Sequence, residues 1–222
     1  MLSHAIWLTV KLALTASVLL LLMCLPLASW LAATKSRLKP WVEAVSALPL
    51  VLPPTVLGFY LLLLMSPNSP LGELWHRLFD QSLAFSFWGL VIASMVYSFP
   101  FVVQPLQRTF EGQGRALSEA AMTIGANRWR TFIDIRLPLA LPGLLAAFVL
   151  GFAHTVGEFG VVLMIGGNIP GQTQVLSIFL FDQVESLNYG LAHQISAGLV
   201  LTSLIILFAL YRWNGRTAVH LG

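Results

Sequence analysis

Five apolar windows dominate this sequence, and each is long enough to cross a lipid bilayer as a helix, which takes about 20 mainly apolar residues. They cover residues 8–33, 42–65, 83–103, 139–165 and 191–211. Only 9% of the residues are charged, whereas a soluble domain carries roughly a quarter. The sequence therefore predicts an all-α, polytopic membrane protein with about five transmembrane helices, folded as one domain over residues 1–222.

Composition argues against several other classes of protein. Cys24 is the only cysteine, so the sequence predicts no intrachain disulfide and no cysteine metal cluster. The positive residues are too scattered for a nucleic-acid-binding stripe. The phosphate-binding pattern Gly-x-x-x-x-Gly-Lys-Ser/Thr is absent from the sequence. We therefore expect no bound cofactor or metal and no nucleic-acid partner, and we expect membrane lipid to surround the chain.

The distribution of positive charge predicts the orientation in the membrane, because cytoplasmic loops carry an excess of Lys and Arg. Ten of the 12 Lys and Arg residues fall on one side of the five-span arrangement, in the loops after spans one and three and in the carboxyl-terminal tail. These are Lys35, Arg37, Lys39, Arg108, Arg115, Arg128, Arg130, Arg136, Arg212 and Arg216. The loop of residues 106–138 and the carboxyl terminus are then cytoplasmic, and the amino terminus is outside.

The cytoplasmic loop contains an ordered pattern, Glu119-Ala120-Ala121, three residues, Gly125, nine residues, and Ile135-x-Leu137-Pro138. It predicts a short helix, a break at Gly125 where the backbone is free to turn, and a second helix. Pro138 suits the first turn of the span that follows. Trp129 and Phe132 place an apolar face among the arginines, which favours docking to a partner protein.

This loop resembles that of bacterial ABC import permeases, and every fixed position of the family pattern is met. The resemblance implies a type I ABC importer permease fold in which the loop forms a coupling helix. It also implies two copies of a separate cytoplasmic ATPase and a second permease chain, most simply as a homodimer. The residues implied to contact the ATPase are Glu119, Ala120, Ala121, Gly125, Ala126, Asn127, Arg128, Trp129, Arg130, Leu137 and Pro138.

Two further stretches narrow the family. Residues 48–58 read Leu-Pro-Leu-Val-Leu-Pro-Pro-Thr-Val-Leu-Gly, and residues 157–160 read Gly-Glu-Phe-Gly, followed by Gly-Asn-Ile-Pro-Gly-Gln-Thr at 167–173. With the loop, they resemble the molybdate permeases of bacterial inner membranes, and the sulfate and tungstate permeases share much of the pattern. The resemblance implies an external oxyanion-binding protein as partner. Molybdate is the expected substrate, with sulfate, thiosulfate or tungstate as alternatives.

Span two contains the first candidate for a hinge or pore element, formed by Pro53, Pro54, Thr55 and Gly58. Proline removes a backbone donor and leaves earlier carbonyl groups without partners. Free carbonyl oxygens repel an anion, so these prolines favour a hinge or kink over an anion site. The Thr55 hydroxyl could serve either the anion or the freed backbone groups.

Glu158 is the only carboxylate well inside a predicted span, and such groups are candidates for function. A carboxylate facing the pore would repel a dianion, so Glu158 is expected to be paired, protonated or near the outer end. His154 precedes it by four residues, which predicts a His154–Glu158 hydrogen bond on one helical face. A metal site formed by His154 and Glu158 would have only two protein ligands, which argues against it.

Two remote alternatives for the function are an intramembrane enzyme that uses His154 and Glu158 with His193, and a secondary transporter.

The two predicted external loops differ in kind. Residues 66–81 begin with the turn-rich run Pro-Asn-Ser-Pro at 67–70. Residues 166–189 contain a mixed apolar run, 175–184, that is too short to span the bilayer. This run is either a short surface or re-entrant helix, or a lid packed on the helix bundle.

Overall fold

The computed structural model describes residues 1–114, 116–123 and 125–218. These residues form α-helices joined by short turns, with one π-helical turn. The helices are α1 (Leu2–Ala33), α2 (Lys39–Val51), α3 (Pro54–Met65), α4 (Pro70–Phe79), α5 (Phe87–Gly112), α6 (Ala116–Thr123), α7 (Arg128–Arg130), the π-helical turn (Thr131–Arg136), α8 (Leu137–Leu139), α9 (Leu141–Gly157), α10 (Gly160–Gly166), α11 (Leu176–Glu185) and α12 (Tyr189–Ala218). The predicted all-α fold is confirmed.

The centre of the bundle is formed by α1, α5 and α9, whose facing sides are buried. Small residues allow these helices to approach closely, as is usual inside membranes. At Gly151 of α9, an added Cβ would lie only 2.6 Å from a methyl carbon of Val102 on α5. Cys24 is fully buried here as a free thiol, within a cluster of apolar side chains.

Among the described residues, three helices are long and apolar enough to cross a membrane, namely α1, α5 and residues 189–210 of α12. Two bent helix pairs raise the number to as many as five if each pair counts as one span. The boundaries differ from those predicted for span three, since α5 runs on to Gly112. The first seven residues assigned to the cytoplasmic loop, 106–112, therefore belong to this long helix.

The predicted span two is not one continuous helix, because the chain bends by 111° between α2 and α3. A residue that precedes a proline is driven out of the helical region towards an extended backbone. Leu52 precedes Pro53 and Pro53 precedes Pro54, and both adopt extended ψ angles, of 136° and 137°. Pro54 then occupies the first turn of α3. A backbone N–H at that position would have no partner within the helix, so the missing N–H of proline costs nothing there. The predicted kink is present at this place.

The predicted span at residues 139–165 is also divided. Helix α9 ends at Gly157, Glu158 has an extended backbone (ψ 132°), and α10 begins at Gly160. A second bend, of 66°, separates α9 from the helical segment that ends at Leu139. The expectation that Pro138 opens this span is wrong, since Pro138 lies in α8 and Pro142 occupies the first turn of α9.

Both loops that were predicted to be external contain helices. Residues 70–79, predicted as part of a turn-rich loop, form α4, which is capped by the Ser69 hydroxyl accepting from the Gly72 amide (3.0 Å). Helix α11 corresponds to the predicted apolar run. It buries Leu176, Ile178 and Phe179 against its neighbours, so the interpretation as a segment packed on the bundle describes it.

Candidate coupling surface and helix-break site

The segment with the ordered pattern folds as two helices around a glycine. Gly125 has a φ of +88°, a region that L side chains rarely adopt. Asn127 then caps the second helix, since its side-chain oxygen accepts a hydrogen bond from the Arg130 amide (2.8 Å). The predicted helix, break and second helix are present, and the second helix contains the π-helical turn Thr131–Arg136.

This segment presents a mixed outer surface. Glu119 and Ala120 are exposed, and Trp129 is 76% exposed beside Ile133 at 53%. Ala121, in contrast, is buried at 3% exposed, and the Phe132 ring packs inward, 5.9 Å from the Phe110 ring of α5. The apolar face predicted from Trp129 and Phe132 is therefore not formed as a single surface. Of these two residues, only Trp129 faces outward.

Arg136 anchors the segment to the bundle. Its guanidinium donates to Gln113 Oε1 (3.2 Å), to the Phe110 carbonyl at the end of α5 (3.2 Å) and to Ser29 Oγ of α1 (3.4 Å). The Gln113 amide donates in return to the Arg136 carbonyl (2.8 Å). These bonds join residues 116–139, here called the coupling segment, to α1 and to the end of α5.

The two helix breaks of spans two and four lie against each other. An added Cβ on Gly160, at the start of α10, would lie 2.8 Å from Pro54 Cβ at the start of α3. One turn further along α3, a Cβ on Gly58 would lie 2.9 Å from Met164 Cβ. The glycines therefore permit close contact between the two helix breaks. The sequence analysis identifies these two stretches, residues 48–58 and 157–160, but does not predict that they touch.

Glu158 lies at this junction and is only 3% exposed. Neither of its carboxyl oxygens has a hydrogen-bond partner within the described part of the chain. Ser94 of α5 is the polar side chain next to it, and its hydroxyl is likewise without a partner among the described residues. The Glu158 carbonyl, in contrast, accepts a bond from Ser177 Oγ of α11 (2.6 Å), which braces the break.

The predicted His154–Glu158 hydrogen bond is wrong. Because α9 ends at Gly157, Glu158 leaves the helical face on which His154 lies. His154 Nδ1 instead bonds Ser98 Oγ of α5 (2.9 Å), which also bonds Thr155 Oγ1 (3.0 Å). The imidazole stacks on Phe101 with a ring separation of 3.8 Å. Within the described ranges, no group of three His, Cys, Asp or Glu side chains is placed to hold a metal.

The Asn-Ile-Pro-Gly run at residues 168–171 forms a compact turn tied to α11. Asn168 has a φ of +55°, and its side-chain amide donates to the Asp182 carboxylate (3.0 and 3.1 Å). Gln174 donates to the same carboxylate (2.8 Å). The sequence analysis does not predict that Asp182 accepts these hydrogen bonds, because no local pattern pairs it with Asn168 or Gln174.

The remaining predicted site residues are described by their exposure or burial. Thr55, Pro53 and Pro138 are exposed, while Gly58 is buried where α3 packs against α10. Leu137 is half-buried against the central cluster, and Ala126 is half-buried beside the glycine. The Arg128 side chain, like Arg115 and the Ile124 of the pattern, lies outside the described residues.

Comparison with known proteins gives a consistent result. The family model described as binding-protein-dependent transport system inner membrane component matches residues 24–217. The molybdenum transport system permease protein ModB of Azotobacter vinelandii is 56% identical over 207 residues, covering 93% of this chain and 92% of that protein. ModB of Haemophilus influenzae is 40% identical, covering 80% and 79%. The sulfate transport system permease protein CysT of Escherichia coli K12 is 36% identical, covering 79% and 63%.

Among solved structures, the fold matches a chain in the crystal structure of a bacterial alginate ABC transporter in complex with an alginate pentasaccharide-bound periplasmic protein. The TM-score is 0.75 at 17% identity, and the match covers 96% of this chain and 78% of that one. This similarity shows that the fold is that of an ABC transporter membrane subunit, as predicted.

Proposed function

Because this chain belongs to the family of binding-protein-dependent transport system inner membrane components, we propose that it is the permease subunit of an ATP-driven molybdate importer. The observation that carries the choice of molybdate is the 56% identity to the Azotobacter vinelandii permease over nearly the whole of both chains. Membership of this family makes the chain a transport subunit, so the alternatives of an intramembrane enzyme and a secondary transporter are set aside.

The exposed part of the coupling segment is the proposed docking surface for the ATPase. Glu119, Ala120, Trp129 and Ile133 are accessible. The turn at Gly125 and the Asn127 cap set the relative positions of the two helices that carry them. Ala121 instead supports the segment from inside. Two ATPase copies would bind two permease chains arranged as a homodimer, with a binding protein on the opposite face. The Lys and Arg distribution supports a cytoplasmic coupling segment and an external amino terminus.

We place the moving element of the transport path at the contact between the Pro53–Pro54 and Glu158–Phe159 breaks. Extended backbone between two short helices changes its φ and ψ angles more readily than a continuous helix does. Arg136 links the coupling segment to α1 and α5, and α5 carries Ser94 next to Glu158. Movement imposed by the ATPase therefore has a continuous route from the coupling segment to the junction.

The substrate is tested by reconstituting the permease in vesicles with its ATPase and binding protein. We expect molybdate-loaded binding protein to stimulate ATP hydrolysis and to supply molybdate for uptake, with sulfate giving much less at equal concentration. Tungstate is a useful additional oxyanion, because its size and charge resemble those of molybdate. Stronger stimulation and uptake with sulfate would assign the chain to a sulfate importer, and no stimulation by any oxyanion would contradict the proposal.

A further inference from the structure

Helix α4 is amphipathic, and it belongs neither to the coupling segment nor to the helix breaks. Its apolar residues occupy one side at the spacing i, i+3, i+4, i+7 and i+8. They are Leu71, Leu74, Trp75, Leu78 and Phe79. Glu73, His76 and Arg77 occupy the other side, where Arg77 Nη2 pairs with Glu73 Oε1 at 2.5 Å.

Only one edge of this apolar side is packed against the protein. Gly72 lies directly on the backbone of Ser66, and Trp75 packs against the buried cluster that contains Leu61 and Met65. Leu71, Leu74 and Leu78 form the other edge, which is open, at 37%, 54% and 66% exposed, and Phe79 at the end of the helix is 55% exposed. An exposed apolar edge of this length marks a contact with lipid or with another protein.

We infer that α4 lies in the outer headgroup–acyl boundary of the bilayer, with the open apolar edge covered by lipid. Helix α3, which precedes α4, also exposes apolar side chains, namely Phe59, Tyr60, Leu63 and Leu64. With α2 it forms a bent pair that is long and apolar enough to cross a membrane. Only residues 66–69 separate the two helices, so both meet the same medium.

The composition of α4 fits this boundary. Amphipathic helices lie in the interface with their apolar side buried and a charged side in water. Tyr60 and Trp75 are of the aromatic types enriched at that depth, and the Glu73–Arg77 pair lies on the water side. Since α4 is capped by Ser69 and packs through Trp75 against Leu61 and Met65 of α3, its insertion fixes the adjoining end of α3 whatever ion is transported.

Spin-label accessibility tests this placement in the assembled transporter in lipid vesicles. The buried Cys24 is first replaced (Cys24→Ala), and single labels are attached at Leu74→Cys or, as a matched control on the opposite side of the same helix, at His76→Cys. Collisions with oxygen report the apolar phase, and collisions with a water-soluble nickel complex report the aqueous phase. We expect the oxygen-to-nickel ratio at Leu74 to be several-fold higher than at His76.

Three results would overturn the inference. A label at Leu74 that collides with nickel as readily as the His76 label does would place the edge in water. A Leu74 label shielded from both reagents in the permease assembly would show a protein interface, such as a second permease chain. A lipid-like ratio that is lost only when the binding protein is added would make α4 a binding-protein contact. Uptake activity of the unlabelled transporter, measured separately, distinguishes these results from failure of the proposed function.

Discussion

Replacing Gly125 by valine should reduce ATP-driven uptake to background while the chain still inserts and folds. The φ of +88° at Gly125 costs a residue other than glycine about 1–3 kcal/mol, and a β-branched residue is the least tolerant. The substitution meets no neighbouring atom within 4 Å of its Cβ, so the effect arises from the backbone. We expect the turn between α6 and the Asn127 cap to change shape and the ATPase contact to be lost.

The matched control is Gly112→Val at the end of α5. Its Cβ also meets nothing within 4 Å, but its φ is not in the left-handed region. The measurements are vesicle uptake and co-purification of the ATPase with the permease. Normal uptake by Gly125→Val would remove the coupling segment from the account, whereas equal losses in both variants would indicate a general sensitivity of this region.

Replacing Gly160 by alanine should slow uptake by about tenfold or more, because its new methyl group would lie 2.8 Å from Pro54 Cβ. Overpacking of this kind costs about 1–3 kcal/mol, and 1.4 kcal/mol changes an equilibrium constant tenfold. The proline ring is rigid, so the added volume pushes the two helix breaks apart. We expect altered basal ATP hydrolysis together with the slow uptake, since the resting position of the junction changes.

Gly157→Ala provides the comparison, because Gly157 precedes the same break and its added Cβ meets nothing within 4 Å. It should retain most of the uptake and an unchanged ratio of stimulated to basal ATP hydrolysis. If Gly160→Ala behaved like Gly157→Ala, contact between the breaks would have no part in transport. Assembly of both variants with the ATPase is checked by co-purification.

The sequence predicted the features that depend on local chemistry. The apolar windows, the kink at Pro53–Pro54 and the two helices around Gly125 all follow from hydropathy, proline geometry and glycine freedom. The apolar spacing of α4 was also present in residues 71–79, but the turn signals at 67–70 favoured a loop over a capped helix. A periodicity test of that segment would have found it.

Features that depend on tertiary contacts could not be predicted in the same way. Hydropathy windows take no account of backbone breaks, so they predict one helix over residues 139–165, with Glu158 on the same face as His154. The break moves Glu158 next to Ser94, and Ser98 of the facing helix takes the bond of His154. No local pattern marks Arg136 as an anchor, since Ser29 lies 107 residues earlier in the chain.

Chemical labelling of the coupling segment tests the central claim, that this segment is the cytoplasmic surface on which the ATPase acts. In the Cys24→Ala background, Ala120→Cys places a thiol on the exposed side of α6 and Asn68→Cys places one on the turn before α4, where both native residues are exposed. With a membrane-impermeant maleimide, we predict that Ala120→Cys reacts only from the cytoplasmic side and is protected when the ATPase binds, while Asn68→Cys reacts only from outside. Reaction of Ala120→Cys from outside, or from the cytoplasm with no protection by the bound ATPase, would contradict the account.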